Sequence, residues 1–246
     1  MRRLKWQILF AVALITLSVL IFVGQIYIFR TPRDTFFYLV QDIAFVPIQV
    51  LLVTVIINEV LNIREKRSLL RKLNMVIGAF FSEVGMSLLQ SFPDFDIHYE
   101  KLRESLIVKT GWSNQDFVRA HRQVMGYDYN VDSRKGDLAS LKVFLMEQRD
   151  FLLRLLENPN LLEHRSFTNL LRAVFHLTEE LTFRRNLHNL PQTDYEHLSV
   201  DIKRAYVLLI SEWLAYMKYL RDYYPYLFSL AVRTNPFDPD ASPEVK

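Results

Sequence analysis

The hydrophobic pattern divides the chain into two regimes. Up to about residue 92, apolar residues form long runs broken by short polar or basic stretches. Beyond it they recur every three or four positions, the period of an amphipathic helix. No stretch alternates with the period of two that marks a half-buried strand. The pattern therefore predicts an all-α protein, a transmembrane helical hairpin followed by a cytoplasm-facing α-helical bundle.

The first run, ILFAVALITLSVLIFVGQIYIF over residues 8–29, carries no charge. A helix of about 22 residues is about 33 Å long, enough to cross a hydrocarbon core of about 30 Å. It exceeds the apolar region of a signal peptide, and no small-residue cleavage site follows, so it reads as an uncleaved span. Arg30-Thr31-Pro32-Arg33-Asp34 is only long enough for a turn, which makes the next span, about residues 36–57, an antiparallel neighbour. Residues 1–63 thus read as a hairpin. Lys and Arg flank its two ends more densely than its turn, which predicts a multi-pass cell-membrane protein with the N-terminus and the C-terminal domain cytoplasmic.

The second span is less apolar. Thr35, Asp42 and Gln49 lie seven apart and share one helical stripe, and Gln25 of the first span is a hydrogen-bond candidate for it. The stripe reads either as glue between helices or as the lining of an ion path. Pro47 removes one helical hydrogen bond and predicts a kink. A basic neck follows, with Arg64, Lys66, Arg67, Arg71 and Lys72 placed to meet anionic lipid headgroups. Residues 73–92 then form another nearly uncharged run. Gly78, Ser82 and Gly85 give it a small-residue face for close helix packing. Its polar residues favour a buried or membrane-hugging helix, with a third span as the alternative.

Residues 93–234 predict five or six helices. Ser113 with Asp116 resembles a capping box, and Asp137 reads as the cap of a long helix to Glu157. Further helices are predicted over 165–187, 194–223 and 226–233, and residues 235–246 form a polar tail. The net charge of +3 hides an asymmetry. Residues 1–72 carry a net +6 and the remainder a net −3. The basic surplus belongs to the membrane-flanking part, and no nucleic-acid partner is expected of the mildly acidic domain. The bilayer, and a homo-oligomer or protein partner, are expected instead. Cysteine is absent, which removes disulfides, thiol catalysis and Cys-ligated zinc.

Candidate chemistry is sparse. Asp128, Asn130 and Asp132 open like a calcium loop, but Ser133 and Ala139 stand where its glycine and bidentate Glu belong. His176, Glu179 and Glu180 share a helical face, with His164 and His188 twelve residues on either side. Neither Glu-x-x-His nor His-x-x-x-His occurs there. Arg172/His176 and Arg184/His188 each fall one residue short of the arginine–histidine spacing of HEPN-type ribonucleases. These histidines read as half-buried or surface groups beside ion pairs, so no catalytic, cofactor or metal residue is assigned.

KLNMVIGAFFSEVG (Lys72 to Gly85) and YPYLFSLAVRTNPF (Tyr224 to Phe237) resemble segments of uncharacterised prokaryotic two-span integral membrane proteins of similar length. The resemblance covers most of the chain, implies a membrane location and carries over no functional residue. The resulting expectation is a non-enzymatic, membrane-anchored interaction or scaffold protein. An oligomeric channel lined by the second span is the alternative. A metal-dependent or RNA-cleaving helical site around His176 and Glu180 is a weaker one.

Overall fold

The computed structural model describes residues 2–30, 32–159, 161 and 164–244. It is helical throughout, and one isolated antiparallel bridge, Asp96 to Val131, is the extended pairing among the described residues. The chain divides into two compact units, Met1–Lys66 and Arg67–Lys246.

The first unit holds α1 (Arg2–Phe29) and the leading part of α2 (Pro32–Phe80). Pro32 lies at the first position of α2, where its missing N–H costs no hydrogen bond. The turn expected over five residues is thus shorter, since Pro32, Arg33 and Asp34 belong to α2; Thr31 lies outside the described residues. Arg30 takes a left-handed φ of 52°, and its N–H donates to the Ile26 carbonyl at 3.0 Å, closing α1. α2 runs through Pro47 without interruption. The stretch Arg33–Glu65 is long and apolar enough to cross a membrane, and none of its apolar window is buried. Thr35 is buried, Gln25 is half-buried, and Asp42 and Gln49 are exposed.

Arg64 of the basic neck is exposed, and so is Lys72. The side chains of Lys66, Arg67 and Arg71 lie outside the described ones.

In the second unit, the run from Leu73 is a core helix. Leu73, Ile77, Phe80, Phe81, Val84, Leu88, Leu89 and Phe92 are all buried. Such a series is too crowded for one stripe of a regular α-helix, and the backbone responds locally. α2 passes into a π-helical turn, Phe81–Gly85, before α3 (Met86–Ser91). The extra residue in that turn lets adjacent Phe80 and Phe81 both reach the core. Phe80 meets Phe167 edge-on at 5.3 Å, and Phe81 stacks on Tyr216 at 5.2 Å. The small face works at Gly78, where a Cβ would lie 2.8 Å from the Tyr216 hydroxyl. Gly85 is buried against the rings of Phe80 and Phe81, while Ser82 is exposed.

The other elements are α4 (Tyr99–Arg103), α5 (Asn114–Gly126), α6 (Leu138–Glu147), α7 (Arg149–Leu156), α8 (Arg165–Phe183), α9 (Gln192–Tyr223) and α10 (Pro225–Arg233). α4 is short and gives way to a 3-10 turn, Glu104–Leu106. The long helix expected after Asp137 is two, broken at Gln148, whose ψ of −2° departs from the helical value. Ser113 and Asp116 form the reciprocal capping box, and Asp137 accepts from the N–H groups of Ala139 and Ser140.

α9 is the centre of the second unit. Pro191 and Pro225 bound it, and no Gly or Pro interrupts its 32 residues. α3, α5, α8 and α10 pack on it, with α8 making the most extensive contact, and α6 and α7 cover α8. Side chains that donate to distant carbonyls tie segments of this unit together. Lys203 holds the Tyr129 carbonyl at 2.8 Å, Arg221 that of Trp112 at 2.8 Å, and Asn235 that of Leu106 at 2.9 Å.

Candidate metal centre

α8 and α9 bury facing apolar rows. Val174, Leu177 and Leu181 line one helix, and Leu198, Ile202 and Ala205 the other. The same helical period places His176 and Glu180 one turn apart on α8, and His197 and Asp201 one turn apart on α9. Where the helices meet, these four side chains converge, and one ligand atom from each lies within 4.8 Å of all the others.

Asp201 is the innermost member, 2% exposed. Its Oδ1 accepts from Arg204 Nη1 at 2.7 Å. Its Oδ2 is buried without a hydrogen-bond partner. That oxygen nevertheless lies 3.4 Å from His176 Nε2 and 3.2 Å from His197 Nε2. Glu180 lies 3.8 Å from His176 Nε2 and 3.6 Å from His197 Nε2. Lone pairs gathered this closely repel unless a proton or cation lies among them. Bonds of about 2.0–2.1 Å to nitrogen and oxygen place the ligands of a tetrahedral metal about 3.3–3.4 Å apart. The two separations at Asp201 Oδ2 match that spacing, while those at Glu180 are longer and run to different oxygens, Oε1 toward His176 and Oε2 toward His197.

An arginine engages each carboxylate, at the outer Oδ1 of Asp201 and at Oε2 of Glu180, the oxygen that also approaches His197. Arg184 Nη1 donates to Glu180 Oε2 at 2.6 Å, and its Nε and Nη2 donate to both oxygens of Asp194 at 3.0 and 2.7 Å. The Arg184 hydrogen bond holds the Glu180 carboxyl below the usual carboxylate range against the opposing effect of burial. The same guanidinium lowers Asp194. Hydrogen bonding to Asp194 in turn raises Arg184, which stays charged at every accessible pH. Such outer partners fix the orientation of metal-ligating carboxylates. The rings of His176 and His197 remain 45% and 49% exposed, so the group opens to solvent on one side.

Of the residues singled out from the sequence, His176 and Glu180 belong to this group. Glu179 does not; His164 instead caps α8 through Nδ1, and His188 sits exposed in the following loop. His197 and Asp201 were not singled out. The signal for them is a repeated His-x-x-x-acid spacing, His176 to Glu180 and His197 to Asp201, on consecutive helices. Asp132 of the calcium-like loop is taken up by Arg134 Nε at 2.9 Å. A second polar group, around Asp96, consists of phenols. Burial raises Tyr129 and Tyr206, and neither hydroxyl has a hydrogen-bond partner.

The structure thus defines an all-helical protein with an apolar N-terminal unit and a helical domain carrying a two-histidine, two-carboxylate cluster. The chain belongs to the MJ1433 family. Residues 69–233 match the model described as "Uncharacterized protein MJ1433, C-terminal helical domain", and residues 2–61 match "MJ1433, N-terminal helical domain". It is 46% identical to the "Uncharacterized protein MJ1433" of Methanocaldococcus jannaschii over 234 residues, which cover 95% of this chain and 94% of that protein. No solved structure matches it.

Proposed function

We propose that this protein is a membrane-tethered metalloprotein whose helical domain binds one late first-row divalent cation, zinc foremost, at the cluster. The observation that carries the reading is the buried Asp201 Oδ2, which accepts no hydrogen bond yet has two imidazole nitrogens at 3.2 and 3.4 Å and a second carboxylate nearby. Imidazole with carboxylate suits zinc and its neighbours, and affinity along the series favours the later metals. The scaffold role expected from the sequence rested on having found no constellation of this kind. Metal analysis of the full-length protein in detergent tests the reading. About one equivalent of zinc is expected after loading and dialysis, falling at least tenfold in His197→Ala. Equal metal content in the wild type and a His176→Ala/His197→Ala variant would overturn it.

The tether is supported by the first unit. In water its uncovered aliphatic surface would forgo about 25 cal/mol for each Å² left exposed, whereas a bilayer removes that cost. In this reading the hairpin crosses the cell membrane with both ends cytoplasmic, and the basic neck lies among anionic headgroups.

A pore is the second reading of the hairpin, favoured by the exposure of Asp42 and Gln49 on α2. An ionisable group within a bilayer normally faces protein or water, so a second copy would cover this stripe. Reconstituted protein should then conduct ions, with Asp42→Asn changing selectivity. A strictly monomeric, non-conducting protein excludes that reading.

A further inference from the structure

The cluster is asymmetric. Both imidazole nitrogens lie nearer to Asp201 Oδ2, at 3.2 and 3.4 Å, than to Glu180, at 3.6 and 3.8 Å. Glu180 is also drawn aside by the 2.6 Å hydrogen bond from Arg184. Two imidazoles close to one carboxylate, with the second carboxylate farther from both, suit a catalytic zinc site, which keeps one position for water, better than a closed structural one. Two further features agree. The half-exposed imidazoles leave that position accessible. The buried apolar rows between α8 and α9 hold the helices together without a metal.

We infer that the centre is hydrolytic, with His176, His197 and Asp201 as the ligands, Glu180 as the general base and a phosphodiester as the substrate. The inference rests on the metal reading proposed above. The charge balance calls for a singly charged anion, and the free donors of Arg204 suit a phosphoryl group. Asp201, Glu180 and Asp194 contribute three negative charges, and Arg184 and Arg204 two positive ones. With neutral imidazoles and a divalent cation the site carries one net positive charge, which one phosphodiester anion neutralises. Arg204 is half exposed and spends one Nη on Asp201, leaving donors on its planar fork for a phosphoryl oxygen.

The reaction consumes one water. A divalent cation held by His176, His197 and Asp201 would polarise the attacking water, and Glu180 would take its proton as the water oxygen bonds to phosphorus. The bond from phosphorus to the leaving oxygen then breaks, and the electron pair stays on that oxygen. Glu180 returns the proton to it, releasing an alcohol and a phosphate monoester. Nothing is oxidised or reduced.

The test uses zinc-loaded full-length protein in detergent with bis(p-nitrophenyl) phosphate, read alongside metal content and helical circular dichroism. The wild type should release p-nitrophenolate. Glu180→Gln should keep its zinc and lose about 10²- to 10⁴-fold in kcat, the usual contribution of a general base. Arg204→Ala should raise KM more than it lowers kcat. Glu180→Asp keeps a carboxylate and should retain more turnover than Glu180→Gln, which separates chemistry from folding. Zinc binding with no turnover of the diester overturns this inference and leaves the metal reading standing. So does turnover of p-nitrophenyl acetate alone. Loss of zinc in a folded Glu180→Gln protein makes Glu180 a fourth ligand and overturns its role as base. Failure of the wild type to bind zinc removes both.

Discussion

Gly78 shows how much a single position can depend on its neighbour. An added methyl would lie 2.8 Å from the Tyr216 hydroxyl but 3.5 Å from the ring carbon that carries it. Gly78→Ala should therefore cost about 1–2 kcal/mol in chemical denaturation, the strain of overpacking reduced by the better helix propensity of alanine. In a Tyr216→Phe background the obstacle is gone, and the same substitution should stabilise the protein by about 0.5–1 kcal/mol. Additive effects in that double-mutant cycle would refute the contact. Asp137 makes a different prediction. The N–H and hydroxyl of Ser140 and the N–H of Ala139 hold its carboxyl below the ordinary 3.8. A depressed folded-state value means a contribution complete above 3.8 and lost as pH falls through the lowered one. The stability gap between the wild type and Asp137→Asn should close in acid titrations below that point. Caps such as Asp137 and Ser113 are legible in sequence because donor and acceptor lie within three residues. The pairing of His176 with Asp201 is not, because it depends on which faces of two helices meet.

At the level of elements, periodicity reveals helices and fixes their boundaries less well. The apolar face from Leu138 to Leu156 reads as continuous, yet Gln148 divides it into α6 and α7. The apolar run 73–92 resembles a span in composition, and only its partners Phe167 and Tyr216 distinguish a core helix from a membrane one. The α8–α9 pair allows fold and cluster to be separated experimentally. Leu177, wholly buried between them, should cost about 2–5 kcal/mol when cut to alanine. His197, about half exposed, should cost under about 1 kcal/mol in metal-free protein. A His197→Ala loss as large as that of Leu177→Ala would make the cluster part of the fold's support.

For the whole molecule, the proposed tether makes a prediction about the side of a membrane on which the helical domain lies. The absence of native cysteine makes labelling unambiguous. Cysteines introduced singly at Thr31 and at exposed Asp128 should react from opposite sides of a sealed membrane. Reaction from the same side would demand a third crossing. The second concerns how the domain comes apart. The cations that tie loops to α9, Lys203 on Tyr129 and Arg221 on Trp112, act on carbonyls. Neither partner changes charge in acid. The carboxylates that cap α5 and α6 do. Acid unfolding should thus have an order: helix starts fray while the loops stay docked. Hydrogen exchange followed downward in pH through the depressed carboxyl range would then show early loss of protection at residues 114–117 and 138–141. The amides around 129–133, Asp132 N–H bonded to the Phe95 carbonyl among them, should open later. The cationic ties thereby become a hierarchy of failure, in which the segments without regular structure outlast the ends of the helices they join.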